Sequence, residues 1–309
     1  MTEVALSESG SHAFNAGQIM SAVSALPSSR GGELILPPGV FNVAADVIKP
    51  TRKNVTIRGQ GCAQGYELGN AGTQLIAGAG TTLIDLTDPA GNYGCLQDFS
   101  IRCPVGQQSL CYEGIKARNH QFITRLEVAG FWDGIRLHDY TNQSRLEHVS
   151  STYNTRTGLL VGGDGVTNVT IFSVEHCSFR QNLVGVLINN GRHFAFRDCV
   201  MESNTNEGIY LNALQTITHG LFECCHVENN WLGLVGYGIV LDGSTHCQFR
   251  NMAVSGAKAI RVNATETLFD RLEVFNNAAV DVQSGAVNTE FRKRTGGTLN
   301  NQGTGTIDG

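Results

Sequence analysis

The chain has 309 residues, 37 of them glycine and only 6 proline, with 16% charged residues and a formal net charge of −5. This balance excludes the basic face of a nucleic-acid binder, and no apolar run approaches the ~20 residues of a membrane span. The opening "MTEVALSESG" has neither the basic start nor the apolar core of a signal peptide, which predicts a protein made without a leader.

The first predicted element is a short helix. "NAGQIMSAVSAL" sets Ile19, Val23 and Leu26 at helical spacing, with Asn15 and Gln18 as a capping box. Such a helix can cover the open end of a sheet, whose unpaired edge otherwise invites aggregation. The strand-and-turn segments "GGELILPPGVFNV", "NVTIRGQG" and "GTQLIAG" follow.

A repeat then takes over. Its leading apolar residues are Leu96, Ile123, Leu146, Val174, Phe196, Phe222, Phe249, Phe269 and Phe291, at gaps of 20 to 28 residues. Three positions on stand Phe99, Leu126, Val149, Cys177, Cys199, Cys225, Met252 and Leu272. Eight positions on, Asn154, Asn182, Asn204, Asn230 and Asn277 recur. A second short strand repeats as "GIKA", "GIRL", "GLLV", "GVLI", "GIYL", "GIVL", "AIRV" and "AVDV". Apolar residues at spacing two make short strands, and a fixed period makes a solenoid in which each copy buries its apolar face against its neighbours.

The fold class that follows is all-β: a right-handed single-stranded parallel β-helix with coils of about 24 residues and a short N-terminal capping helix. About a dozen coils at ~4.8 Å spacing give a rod roughly 55 Å long. Residues 1–95 are read as the cap and first coils, 96–291 as regular coils, and 292–309 as strands or a tail leaving the last coil.

Stacked columns explain several odd residues. Cys177, Cys199 and Cys225 fill an inward column as small apolar groups, while Cys224 points outward. Asn204 stands in a turn column, where asparagine tolerates the left-handed conformation and its amide can bond from coil to coil. The nine cysteines include no pair with zinc spacing, and free buried thiols suggest folding in a reducing cytoplasm. Neither cofactor nor metal is expected: Asp98, Asp198 and Asp270 are coils apart, and the ladder of His193, His219 and His246 has no carboxylate column beside it.

The N-terminal segments carry a family resemblance. A small helix, then "LPPGVF", then "VTIRGQG" resembles the start of the pectate-lyase-like β-helix superfamily, most strongly over residues 14–80. The resemblance implies a right-handed β-helix and, most often, action on polysaccharide by lyases, hydrolases, epimerases or phage tailspikes. It assigns no catalytic residue, because the matching positions are turns and packing.

Candidate chemistry comes from outward residues that stack. Arg180, Glu202 and Glu228 follow their leading residues by six positions on consecutive copies. Two carboxylates one coil apart can reach the ~5–9 Å separations that glycosidases use, with mutual repulsion dividing them into acid and base. His226 lies on the same side as Glu228. Trp231, Trp132 and Tyr210 are aromatic faces suited to sugar rings; "NNWLGLVGYG" equally suits a subunit contact. Lys116 and Arg136 share one outward column and Arg118 and His138 the next, which suits an acidic polysaccharide, with His138 and Tyr140 as lyase-type base and acid. A solvated edge beside Asp133 and Asp139 is the bland alternative.

Taken together, these features predict a phage tailspike-type homotrimer that binds and depolymerises a bacterial surface polysaccharide. Its catalytic pair is Glu202 and Glu228, and its substrate-binding residues are Trp231, Tyr210, Trp132, Arg136, His138, Arg180 and His226. Neither nucleic acid nor membrane is expected as a partner, and the expected location is a virion tail or the extracellular space. A non-catalytic adhesive β-helix and a bacterial lyase or C5-epimerase remain open alternatives.

Overall fold

The computed structural model describes residues 3–5, 16–27, 30–44, 47–62, 72–78, 80, 82–88, 93–104, 106–107, 110–138, 141–163, 169–212, 216–230, 236–256, 258–276 and 278–309. Trp231, Asp139, Tyr140, Asn15 and Asn277, singled out above, lie outside the described residues.

Spacing-two apolar residues form strands, and strand pairings among the described residues are parallel. The leading residues stack in one register: Leu96 on Ile123, Leu146, Val174, Phe196, Phe222, Phe249, Phe269 and Phe291. The column continues to Ile57 and Leu34 at one end and Asp308 at the other. The nine repeat copies therefore give the regular turns, and the expected dozen is reached only by counting cap strands and tail. The last segment does not leave the rod. Thr298–Asn301 pairs parallel with Ala279–Val282, and Ile307–Asp308 with Glu290–Arg292.

Identical residues in register pack face to face. Phe196, Phe222, Phe249, Phe269 and Phe291 stack at 4.8 to 4.9 Å between ring centroids, all fully buried. Each contributes roughly 1.5–3 kcal/mol by burial, with ring stacking adding to it. Cys177, Cys199 and Cys225 are buried free thiols, as their column requires. A hydrogen bond with Cys177, then burial, pushes the Cys199 thiol far above its ordinary range, so it is no nucleophile. Outside this column Cys103 and Cys111 form a disulfide.

The asparagine column is a ladder. The Nδ2 groups of Asn154, Asn182 and Asn204 donate to the Oδ1 of the next asparagine at 2.9, 3.2 and 2.7 Å. The same oxygens accept the backbone N–H groups of Asn154, Asn182 and Asn204 at 3.0 to 3.1 Å. Glycine opens the second strand that follows Asn154, Asn182, Asn204 and Asn230 and so makes room, whereas the two later copies open with Ala259 and Ala279. A Cβ at Gly185 would lie 2.6 Å from the Gly208 carbonyl oxygen and 2.8 Å from the Asn204 Nδ2. One expectation needs correcting: Asn204 is not left-handed. Tyr153, Gln181, Ser203 and Asn229, the residues just before the ladder asparagines, take φ of 49 to 57°. The reversal falls to that residue so that the asparagine side chain can turn inward.

Two further left-handed columns complete each turn. One stands two residues after the leader, from Asp98 and Arg125 to Arg271 and Lys293; the other stands three before it, from Tyr93 and His120 to Glu266 and Asn288. The helix Ala16–Ala25 packs Ile19 and Val23, with Leu26 beyond it, into the core. No helix among the described residues is long and apolar enough to cross a membrane.

Candidate functional site

The left-handed residue after each leading strand bends the chain and stands up as a ridge. In the middle copies the short strand after it turns side chains four and six residues past the leader toward solvent: Ser150, Ser178 and Arg180, Val200 and Glu202, His226 and Glu228. Repeated turn on turn, ridge and strand run side by side along the rod axis, and the face between them, the groove, holds two separate cavities. Toward the N-terminal end it widens into a cavity of ≈ 530 Å³ lined by Asp98, Arg125, His148, Ser150, Ser178 and Arg180. Toward the C-terminal end the same columns open into ≈ 400 Å³ lined by Asn251, Ala253, Arg271, Glu273, Lys293 and Thr295.

Glu202 and Glu228 occupy the stretch between these cavities and line neither. The strands Val200–Glu202 and His226–Glu228 pair in parallel, with Glu202 directly on Glu228, and Arg180 precedes them in the same register. Arg180 Nε lies 3.2 Å from Glu202 Oε2, and His226 Nε2 lies 3.2 Å from Glu228 Oε2. The two carboxylate side chains keep 31% and 37% of their surface exposed, so a ligand can reach both. Each carboxylate thus has one basic neighbour that orients it and one face open to solvent.

The N-terminal cavity has a firm floor and wall. Arg102 and Glu127 form a buried ion pair at 2.9 Å, and Asp98 grips Arg125 at 2.5 and 2.9 Å. His148 stacks on His176 at 5.0 Å. Cys62, which also faces this cavity, is pushed up to about 12 by burial and then by Glu127, so it is no thiolate nucleophile.

Other expected residues stand elsewhere. Tyr210 belongs to Ile209–Asn212, in a different column of strands, and its hydroxyl donates to Asp242 at 3.3 Å. Burial, then Asp242, pushes that hydroxyl up. It is therefore not placed beside the carboxylate pair, because the turn after Asn204 carries it onto another side of the coil. Arg136 stacks on Lys116 in register as expected, but it is only 14% exposed and ion-paired with Glu113 at 3.2 Å. Lys116 stands in register with Asp85. The basic cluster is thus largely neutralised. His138 is half-buried at the end of Asp133–Leu137, its backbone N–H donating to the Ala117 carbonyl at 2.8 Å. Trp132 is exposed at a corner, with Arg156 over its ring. The rings of His193, His219 and His246 stack at 4.8 and 5.1 Å, an arrangement that does not converge nitrogen lone pairs on a metal.

Sequence reasoning missed the ridge. Its signal was available: position two of every copy is polar or a cysteine, lodged between buried apolar residues.

A family model described as "Right handed beta helix region" matches residues 113–295, more than half of the chain. The chain belongs to the right-handed β-helix family. No curated protein matches it. Among solved structures, this β-helix is similar to the Azotobacter vinelandii mannuronan C-5 epimerase AlgE4 A-module, with 14% identity, a TM-score of 0.68 and coverage of 97% of this chain and 95% of that one. It is also similar to the Dettilon tailspike protein gp208, with 14% identity, a TM-score of 0.73 and coverage of 99% and 66%. Tailspike protein 2 of bacteriophage CBA120 matches with 13% identity, a TM-score of 0.56 and coverage of 88% and 40%. At these identities the likeness is one of fold, and this chain spans only part of the two tailspikes.

Proposed function

We propose that this β-helix binds a polysaccharide along its groove and cleaves it as a glycoside hydrolase, with Glu202 and Glu228 as the reacting pair. The observation that carries the reading is their in-register placement, one turn apart, with Arg180 and His226 holding them. Neighbouring strands stand ~4.8 Å apart. That spacing is nearer the ~5–5.5 Å separation of retaining glycosidases than the ~6.5–9.5 Å of inverting ones. One carboxylic acid then protonates the glycosidic oxygen, while the other carboxylate attacks the anomeric carbon; water later releases the sugar. The cavities at either end of the pair are the places for sugar rings on the two sides of the broken bond.

A tailspike-type role on a bacterial surface glycan, as a homotrimer on a virion tail, is the biological setting we attach to this reading. The tailspikes among its structural neighbours support that setting. The chemical test uses Glu202→Gln and Glu228→Gln on a polysaccharide that the wild-type protein depolymerises. Losing a general acid or base removes about 10²–10⁴ in rate. Each variant should lose that much while melting and binding like wild type. Wild-type rates in both would leave only a surface charge ladder.

A further inference from the structure

We propose that the corner bearing Tyr112, Trp132 and Arg156 is a second, separate binding site, shaped for a neutral glycan chain. Glu113, Asp133, Thr157 and Val184 stack in register. The residues just before them, Tyr112, Trp132, Arg156 and Leu183, therefore stand in single file, one per turn. Backbone bonds confirm the file: Asp133 N–H donates to Tyr112, Arg156 N–H to Trp132 and Val184 N–H to Arg156, at 2.8 to 2.9 Å. Tyr112, Trp132 and Leu183 are 60, 41 and 36% exposed, in a protein whose other large apolar groups are mostly buried.

The file is held from beneath. Asp133 is 1% exposed, yet its carboxylate accepts Arg156 Nε at 2.7 Å and the Thr157 hydroxyl at 2.6 Å, and Arg156 Nη2 also reaches it. The guanidinium then lies 5.9 Å from the Trp132 ring centre. Burying a carboxylate is costly unless it is fully paired. Here the buried group fixes a surface arginine and, through it, an exposed indole.

The occupant follows from shape and charge. Two rings on adjacent turns, in a file one side chain wide, fit a linear ligand lying along the rod. The strip is too narrow for the ~800 Å² that each partner gives to a stable protein interface. Tyr and Trp offer apolar faces with polar edges, which matches the C–H face and hydroxyl rim of a sugar ring. Asp133 offsets Arg156 and Glu113 offsets Arg136, so the corner favours an uncharged chain.

Affinity electrophoresis tests this with dextran, hydroxyethyl cellulose and galactomannan as neutral probes, and alginate as the acidic one. At least one neutral polymer should retard the protein. Trp132→Ala and Tyr112→Ala should each weaken that retardation by about two- to tenfold, with melting unchanged because both side chains are exposed. Glu202→Gln, in the groove, should leave it intact. Trp231→Phe leaves Trp132 as the only tryptophan of the two in the chain, and its emission should shift when that polymer is added. The proposal fails if no neutral polymer retards the protein, or if both alanine variants bind as wild type. It fails too if the alanine variants instead lower the light-scattering mass, which would make the corner a contact between copies. Retardation by alginate alone, unchanged in Trp132→Ala and Tyr112→Ala, would keep the groove and remove this second site.

Discussion

Removing the side chain of Asn204 strips hydrogen bonds from two turns at once. Its Oδ1 accepts both the backbone N–H and the Nδ2 of Asn182, and its Nδ2 donates to Phe179 and Asn230. An unsatisfied buried group costs about 1–3 kcal/mol, so Asn204→Ala should destabilise by roughly 2–4 kcal/mol. A urea midpoint shift at unchanged slope measures it, and a loss below about 1 kcal/mol would mean that water replaces the ladder. The stacking of Asn204 was legible because the residue recurs at one position in successive copies. Which residue of the turn is left-handed was not, since Ser203 and Asn204 are both small polar residues and only the inward amide decides between them. Tyr210 was misgrouped for a related reason: eight residues after Glu202 in sequence, it has crossed a corner onto another column.

At the scale of elements, strand type and register were readable because apolar spacing fixes which side faces inward. The groove was missed, and the polar residue or cysteine at position two of each copy was its one sequence signal. Its wall repeats a backbone conformation rather than a residue type, so Asp98, His176 and Arg271 share a role without sharing chemistry. The paired basic face was also hidden. Lys116 and Arg136 look like a cationic patch until the strand Ile84–Leu86 brings Asp85 into register with Lys116. Burial pushes the Asp85 carboxyl up, but hydrogen bonds from Thr87 and the charges of Lys49 and Lys116 outweigh it, leaving it below its ordinary 3.8. A depressed carboxyl stabilises the fold above the unfolded value and loses that contribution as pH falls through the folded one. Asp85→Asn should therefore cost about 1 kcal/mol or less at pH 7, and the gap to wild type should close below pH 3.8. A gap that persists unchanged to the lowest accessible pH would assign the loss to packing rather than charge.

The whole molecule is a rod whose sides do different work. One side stacks alternating charges: Glu175, Arg197, Glu223, Arg250, Asp270 and Arg292 follow one another in register. Another carries the groove, and a corner carries the aromatic file. The central claim is that the groove is where a glycan is held and cut. The most direct measurement is a crystal structure of the Glu228→Gln protein with an oligosaccharide that the wild-type protein releases from its substrate. Our account predicts sugar rings running along the rod, from the cavity at Ser150 and Ser178 past Glu202 toward Ala253, with a glycosidic oxygen beside position 228. Sugar bound only on another side of the rod, with this groove empty, would contradict it.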